Sequence, residues 1–276
     1  MIKVLIAMPK KPIITLLTDF GLKDTYVAEM KAVILSINPN TTIVDLTHEV
    51  EPYNIRMGAY LLARSVEYFP EGTIHVAVVD PGVGGKRKPI IVEAESAFFV
   101  GPDNGLLILA AEKLGIKHVY EIKNRMYMRE KISTTFHGRD IFAPVAAYLS
   151  LGVPVKEFGE KFTDYIVPSY TKPKTLKNEI MGEVIHVDHF GNIITNITQK
   201  HLKMKRIDYG ESFTISFKNG KPVKVKLLDS YSKVERGKIL TIVGSGGFLE
   251  VSVNMDNASK ILNVKPGDKI TVSVKP

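Results

Sequence analysis

The 276-residue chain has no cysteine and no tryptophan, and Gln199 is its only glutamine. The missing cysteines exclude disulfides, thiolate metal sites and thiol nucleophiles. No apolar run is long enough to span a bilayer. The opening MIKVLIAM is too short for a signal peptide and lacks a small-residue cleavage site, so a cytoplasmic protein is the expectation. Scarce Cys and Gln beside plentiful Lys and Ile form a composition found in thermophiles. Hydrophobic residues at 45% and charged residues at 24% are those of a globular protein, and the length suits two domains. A formal charge of +8 raises the question of a nucleic-acid surface. The lysines read as spread along the chain, densest in KNRMYMREK and HLKMKR, as solvated faces are. Neither a nucleic-acid nor a membrane partner is expected.

The first 163 residues alternate strand and helix patterns. IITLLT (13–18), TTIVDL (41–46) and TIHVAVVD (73–80) are apolar strand-like runs. DTYVAEMKAVILSI (24–37) and NIRMGAYLLARSVEYF (54–69) carry apolar residues at helical spacing. PIIVEAESAFFVG adds two strands around a turn, NGLLILAAEKLG a helix stopping at Gly115, and HVYEI a further strand. GRDIFAPVAAYLSLG closes the region as a helix with Pro144 near its start. Such alternation predicts an α/β fold with a mostly parallel sheet and flanking helices. Residues 164–178, with two prolines and little periodicity, read as a linker. From 179 to 276 short strands alternate with turn residues such as KNGKP and KPGD, which predicts a smaller antiparallel β-barrel. There is no internal repeat or low-complexity tract.

In a parallel sheet the carboxyl ends of the strands form the binding crevice. The first three strands each approach that edge on an acid, at Asp19, Asp45 and Asp80, and VGPDNG adds Asp103 and Asn104. Buried carboxylates need partners, so this bias is not a product of folding alone. For Asp24 and Asp45, helix capping or turn chemistry is an equal explanation. An acidic edge selects against phosphate, and the VVDPGVGGKRK loop lacks the order of a phosphate-binding loop. A cationic ligand, a hard metal ion or a sugar diol suits it. TTFHGRDIF supplies His137 and Arg139 before a helix. HVDHFGNIITNI offers a polar turn with Asp188, Phe190, Gly191 and Asn192, and VGSGGFLEVSVN places Ser245 in a glycine loop; hairpin chemistry alone also accounts for these two.

In this order TDFG, VVDPGVGG, GPDNG, FHGRD, DHFGNIITNI and GSGGFLEVSVN resemble the S-adenosyl-L-methionine (SAM) hydroxide adenosyltransferases, SAM hydrolases related to the fluorinases and chlorinases. The resemblance runs from about Ile13 onward. MIKVLIAMPKK (1–11) stands outside it, as a frayed or alternative start. It implies an α/β domain followed by a β-barrel, a homotrimer, and an active site between one subunit's first domain and a neighbour's second. It implies Asp80, Arg87 and His137 as the catalytic set that the halogenating relatives lack. It implies Asp19 at the ribose hydroxyls, Asp188 and Ser245 at the methionine end, and Phe190 and Asn192 at the adenine. SAM is then the substrate, with no metal and no cofactor.

The implied reaction is in-line attack of water or hydroxide on ribose C5′, the sulfonium leaving as a neutral thioether that needs no general acid. Bulk water is a poor nucleophile, with a pKa near 15.7. Asp80 and His137 are expected to hold the water and take its proton while Arg87 stabilises developing hydroxide; which of the two is the base is open in the sequence. A halide-using transferase and a non-catalytic SAM- or adenosine-binding protein are the alternatives.

Overall fold

The computed structural model describes residues 11–217 and 220–274. The expectation of a frayed start therefore falls largely outside the described residues, as do Lys218 and Asn219 of the KNGKP turn. The chain divides into two compact units, Met1–Ile166 and Val167–Pro276. Within the stretch read as a linker, Ser169–Thr171 forms a 3-10 turn and Lys174–Thr175 a short strand.

The first unit holds strands β1 (Ile13–Thr18), β2 (Thr42–Thr47), β3 (Thr73–Val78), β4 (Pro89–Ala94), β5 (Ala97–Pro102) and β6 (Ile116–Glu121). Its α-helices are α1 (Tyr26–Ile37), α2 (Ile55–Ser65), α3 (Ile108–Leu114) and α4 (Ala143–Ser150). The sheet order is β2-β1-β3-β5-β4-β6. β1 pairs in parallel with β2 and β3, and β3 with β5. The two strands around a turn are an antiparallel hairpin, so β4 runs against its neighbours β5 and β6. Every residue of β3 is buried, as a central strand covered on both faces requires. Val27, Met30 and Ile34 of α1 form one apolar stripe against the core. Asn54 caps α2 by accepting the Met57 N–H at 3.0 Å, and α3 stops at Gly115. Pro144 sits in the first turn of α4, where no intrahelical N–H bond is lost. Leu16, Met30, Phe142 and Phe158 lie in the core with no exposure, each contributing about 1.5–3 kcal/mol.

One polar group lies deep in this core. His75, on β3, is fully buried, bonds Thr15 Oγ1 through Nδ1 at 2.8 Å and stacks on Phe99. Its Nε2 has no hydrogen-bond partner, and burial pushes the imidazole down to about 4.

The second unit holds β7 (Lys174–Thr175), β8 (Glu179–Val187), β9 (Ile193–Thr198), α5 (Gln199–Met204), β10 (Ser212–Phe217), β11 (Val223–Leu228), β12 (Ile239–Val243), β13 (Phe248–Val253), α6 (Ala258–Leu262) and β14 (Lys269–Ser273). The order β14-β10-β11-β12-β13-β9-β8 closes on itself through β14–β8, giving a seven-stranded barrel with β7 outside on β8. Closure removes the free edges an open sheet would present. The barrel is antiparallel as expected except for one pair, β11–β12, which is parallel. Ile180, Val184, Phe213, Leu249 and Val272 are among the residues filling its interior.

The charge is not evenly spread. The first unit has 19 Lys and Arg against 19 Asp and Glu, and the second 18 against 10, so the whole +8 resides in the barrel unit. The cations are spread over both units, as expected, and the asymmetry comes from the fewer acids of the second. Among the described residues no helix is long and apolar enough to cross a membrane.

Candidate active site

The parallel register sets Thr18 of β1 beside Val78 of β3, so Asp19 and Asp80 leave adjacent strands at the same edge. Asp19 Oδ2 accepts the Tyr53 N–H at 2.8 Å. Partial burial, and secondarily the negative charge of Asp80, hold the Asp19 carboxyl above its ordinary range, against the lowering effect of that N–H. Asp45 does not join them. It lies inside β2, and its carboxylate is taken by Lys31 Nζ at 2.5 Å and by His48 Nε2 at 3.0 Å. Asp24 is not a cap either, since the N-cap residue of α1 is Thr25, whose hydroxyl bonds Glu29.

After Asp80 the PGVGG loop folds back on itself, Val83 and Gly85 donating to the carbonyls of Asp80 and Gly82. Gly84 has φ +74°, and a Cβ there would stand 2.3 Å from the Thr134 carbonyl oxygen. Only glycine lets the loop carrying Asp80 and Arg87 lie against the loop that leads to His137. Asn104 fastens the strand end from behind by donating to the Val79 carbonyl at 2.9 Å.

Arg87 is the hub. Its Nε donates to both oxygens of Asp80, at 3.0 and 2.9 Å, and its Nη2 donates to Asp80 Oδ2 and, at 2.7 Å, to His137 Nδ1. The guanidinium lies over the buried Phe142 ring, 5.4 Å from its centroid, and both ion-pair side chains are at least nine-tenths buried. Such a fork, packed on an aromatic face, is a geometry lysine cannot reproduce. His137 opens a π-helical turn, Gly138–Phe142, that runs into α4. Buried Asp140 locks that turn by accepting from the Ser133 N–H and from Arg139, which also bonds Glu29.

The hub fixes the protonation of His137. A guanidinium only donates and keeps its protons, so Nδ1 must offer a lone pair. The imidazole is then neutral, with its hydrogen on Nε2. Burial, followed by the Arg87 charge, holds its pKa below the ordinary histidine value, outweighing the opposite pull of Asp80 and Asp140. His137 thus presents a donor, not an acceptor, on its free side.

The remaining sequence candidates lie in the barrel unit. Asp188 accepts the N–H groups of Phe190 and Asn192, each at 2.9 Å, through Oδ1, and the Asn192 side-chain amide at 2.9 Å through Oδ2. These bonds shape the β8–β9 turn. They leave Phe190 75% exposed while Asn192 is buried. Ser245 stands exposed on another turn, between β12 and β13. Sequence reasoning passed over Tyr53, which precedes α2 with a left-handed φ of 67° and a largely exposed ring while its N–H orients Asp19. It also passed over Tyr231, whose phenol donates to the buried Glu250; burial and that carboxylate raise its pKa. Among the described residues no group of three or more His, Asp or Glu side chains is placed to hold a metal ion.

An acid-edged sheet unit bearing an Asp–Arg–His cluster, followed in one chain by a closed β-barrel unit, defines a two-domain α/β-plus-barrel class. Residues 14–159 match the SAM hydroxide adenosyltransferase N-terminal domain and residues 182–271 its C-terminal domain, and the chain belongs to that family. It is 43% identical over 267 residues to the (R)-S-adenosyl-L-methionine hydrolase of Methanocaldococcus jannaschii, covering 94% of this chain and 95% of that one. The fluorinase of Actinopolyspora mzabensis is more distant, at 26% identity with 95% and 97% covered. A crystal structure of an uncharacterized conserved protein from Thermotoga maritima superposes with a TM-score of 0.85 at 41% identity, covering 95% of this chain and 100% of that one.

Proposed function

We propose that the protein hydrolyses S-adenosyl-L-methionine to adenosine and L-methionine by in-line attack of water or hydroxide on ribose C5′. The observation that carries this reading is Arg87 bridging Asp80 and His137 at the acidic sheet edge. The Methanocaldococcus relative's name specifies the R form, so the R sulfonium epimer is the substrate of choice.

In the step, the water oxygen bonds C5′ as the C5′–S bond breaks, and the electron pair goes to sulfur. The thioether leaves neutral, so no acid and no cofactor is needed there. His137 Nε2–H donates to the water oxygen and aims a lone pair at C5′. Asp80 is the proton acceptor, because Nδ1 of His137 is already committed to Arg87. Arg87 contacts use both Asp80 oxygens, yet a carboxylate offers about four acceptor sites and keeps one for the water proton. A positioned base contributes about 10²–10⁴-fold. Asp19, at the same edge, holds the ribose diol, and fixing both reactants supplies at most about 7–11 kcal/mol.

The methionine and adenine contacts are assigned to Asp188 and Ser245, and to Phe190 and Asn192. Because these belong to the barrel unit, the reading includes a homotrimer in which a neighbour's barrel completes each site. The family resemblance supports that arrangement, as does the exposed Phe190 ring. No nucleic-acid or membrane partner is part of it. The reaction is placed in the cytoplasm, since a charged sulfonium nucleoside does not diffuse through a bilayer.

Turnover in ¹⁸O-water, with chloride and fluoride present and the two sulfonium epimers supplied separately, tests the proposal. The label should appear on the adenosine 5′ oxygen, faster from the R epimer. Label elsewhere, halogenated adenosine, or one bound adenosine without turnover would each end it.

A further inference from the structure

His48 is buried, lies outside the Asp80–Arg87–His137 cluster, and reaches the TDFG turn from below. Its Nδ1 is 2.8 Å from Thr18 Oγ1, and that oxygen accepts the Phe20 N–H at 3.3 Å. The His48 carbonyl accepts the Gly21 N–H at 2.8 Å, and Val50 N–H returns to the Thr18 carbonyl at 3.4 Å. The residues on both sides of Asp19 are therefore tied to one imidazole and its flanking backbone. On the far side, His48 Nε2 lies 3.0 Å from Asp45 Oδ1, and no well-directed hydrogen bond claims that nitrogen. Asp45 in turn is anchored by Lys31.

The proton bookkeeping gives this chain a direction. Asp45 is charged: burial opposes ionisation, but Lys31 and His48 together hold its carboxyl below the ordinary range. An ionised carboxylate only accepts, so Nε2 carries a hydrogen. In the neutral ring Nδ1 is then a lone pair, and Thr18 donates to it while accepting from Phe20. Each group along Asp45–His48–Thr18–Phe20 has one role, and the relay ends at the peptide beside Asp19.

We propose that His48 is a positioning residue for substrate binding, acting through Thr18 to hold Asp19 at the angle needed to accept both ribose hydroxyls. Asp45, inside β2, serves as the relay's anchor rather than as a ligand. This rests on the assignment of Asp19 to the ribose. The relay fixes the turn's backbone, and Tyr53 N–H fixes the carboxylate's rotation from the other side. A small misplacement of such a clamp weakens substrate and transition state alike.

Two amides separate the ring's functions. Asn places an oxygen where Nδ1 stands and keeps the Thr18 acceptor, whereas Gln places an N–H where Nε2 stands and loses it. His48→Asn should keep KM for SAM close to wild type. His48→Gln and Thr18→Val should raise KM about tenfold and leave kcat within a factor of about three. Asp19→Ala should raise KM more, and adding His48→Gln to it should change nothing further. Thermal midpoints accompany each variant; if His48→Gln does not fold, Thr18→Val, which keeps the shape and removes only the hydroxyl, carries the test. Unchanged KM in Thr18→Val, or additive effects in the double variant, overturns the positioning role. Unchanged KM in Asp19→Ala overturns the ribose assignment instead.

Discussion

Replacing His137 by glutamine separates a hydrogen-bond donor from a base. If His137 were the base, removing it would cost about 10²–10⁴-fold in kcat whatever replaced it. The structure argues otherwise, because Arg87 Nη2 reaches Nδ1 at 2.7 Å and leaves the ring only an Nε2–H to offer. A glutamine amide N–H falls near that position and gives one donor for another. What is lost is the Arg87 contact, a hydrogen bond from a charged group worth about 1.5–3 kcal/mol, of which the water partly compensates. The expected drop in kcat is about tenfold for His137→Gln and about 10²-fold for His137→Ala. The pH profile gives a second reading. Protonating His137 puts an N–H where Arg87 already points one, so activity falls as pH drops through a pKa depressed below the histidine norm. Asp19, with its raised pKa, protonates on the same acid limb. In His137→Gln the limb should therefore lose one proton from its limiting slope. Rates by chromatography of adenosine, from pH 4 to 9, with SAM binding by calorimetry, measure both. A glutamine variant that binds SAM normally yet is as inactive as alanine refutes the donor assignment.

Acid stability should follow His75. Its folded pKa of about 4 lies below the unfolded value near 6.5, so between these values the unfolded chain binds the extra proton. Stability should fall by about 3 kcal/mol as pH drops from 7 to 4, and His75→Phe should flatten that slope in urea melts; an unchanged slope would place the acid sensitivity elsewhere. Gly191→Ala should destabilise the barrel unit by about 2–4 kcal/mol, since φ is +86° and the new Cβ would lie 2.1 Å from Asn257 Cγ. A thermal midpoint equal to wild type would show that the β8–β9 turn can shift without cost.

The sequence made the layering legible because β1 and β3 are short apolar runs, the helices carry apolar stripes, and Gly115 and Pro144 are local punctuation. It did not reveal that β4 reverses direction, since a strand's hydrophobic pattern is the same read either way. Asp19 and Asp80 were visible as acids at strand ends, a local pattern. The link from Asp80 to Arg87 and on to His137 was not, because 50 residues separate Arg87 from His137 and the packing of Gly84 on Thr134 brings their loops together. The family resemblance supplied that set where spacing could not. Asp45 misled for the opposite reason: its pattern matches Asp80, but a lysine one helix away and a histidine three residues on consume its charge. His48, Tyr53 and Glu250 gave no signal, as His48 and Glu250 act through a neighbour's hydroxyl and Tyr53 through its own backbone N–H.

The confinement of net charge to the barrel unit has a consequence for handling as well as for assembly. Two barrel units that approach one another in solution repel, and the repulsion fades once added electrolyte shortens the screening length to about 8 Å or less. A sulfonate resin should hold the molecule through the barrel unit, because the first unit carries no net charge.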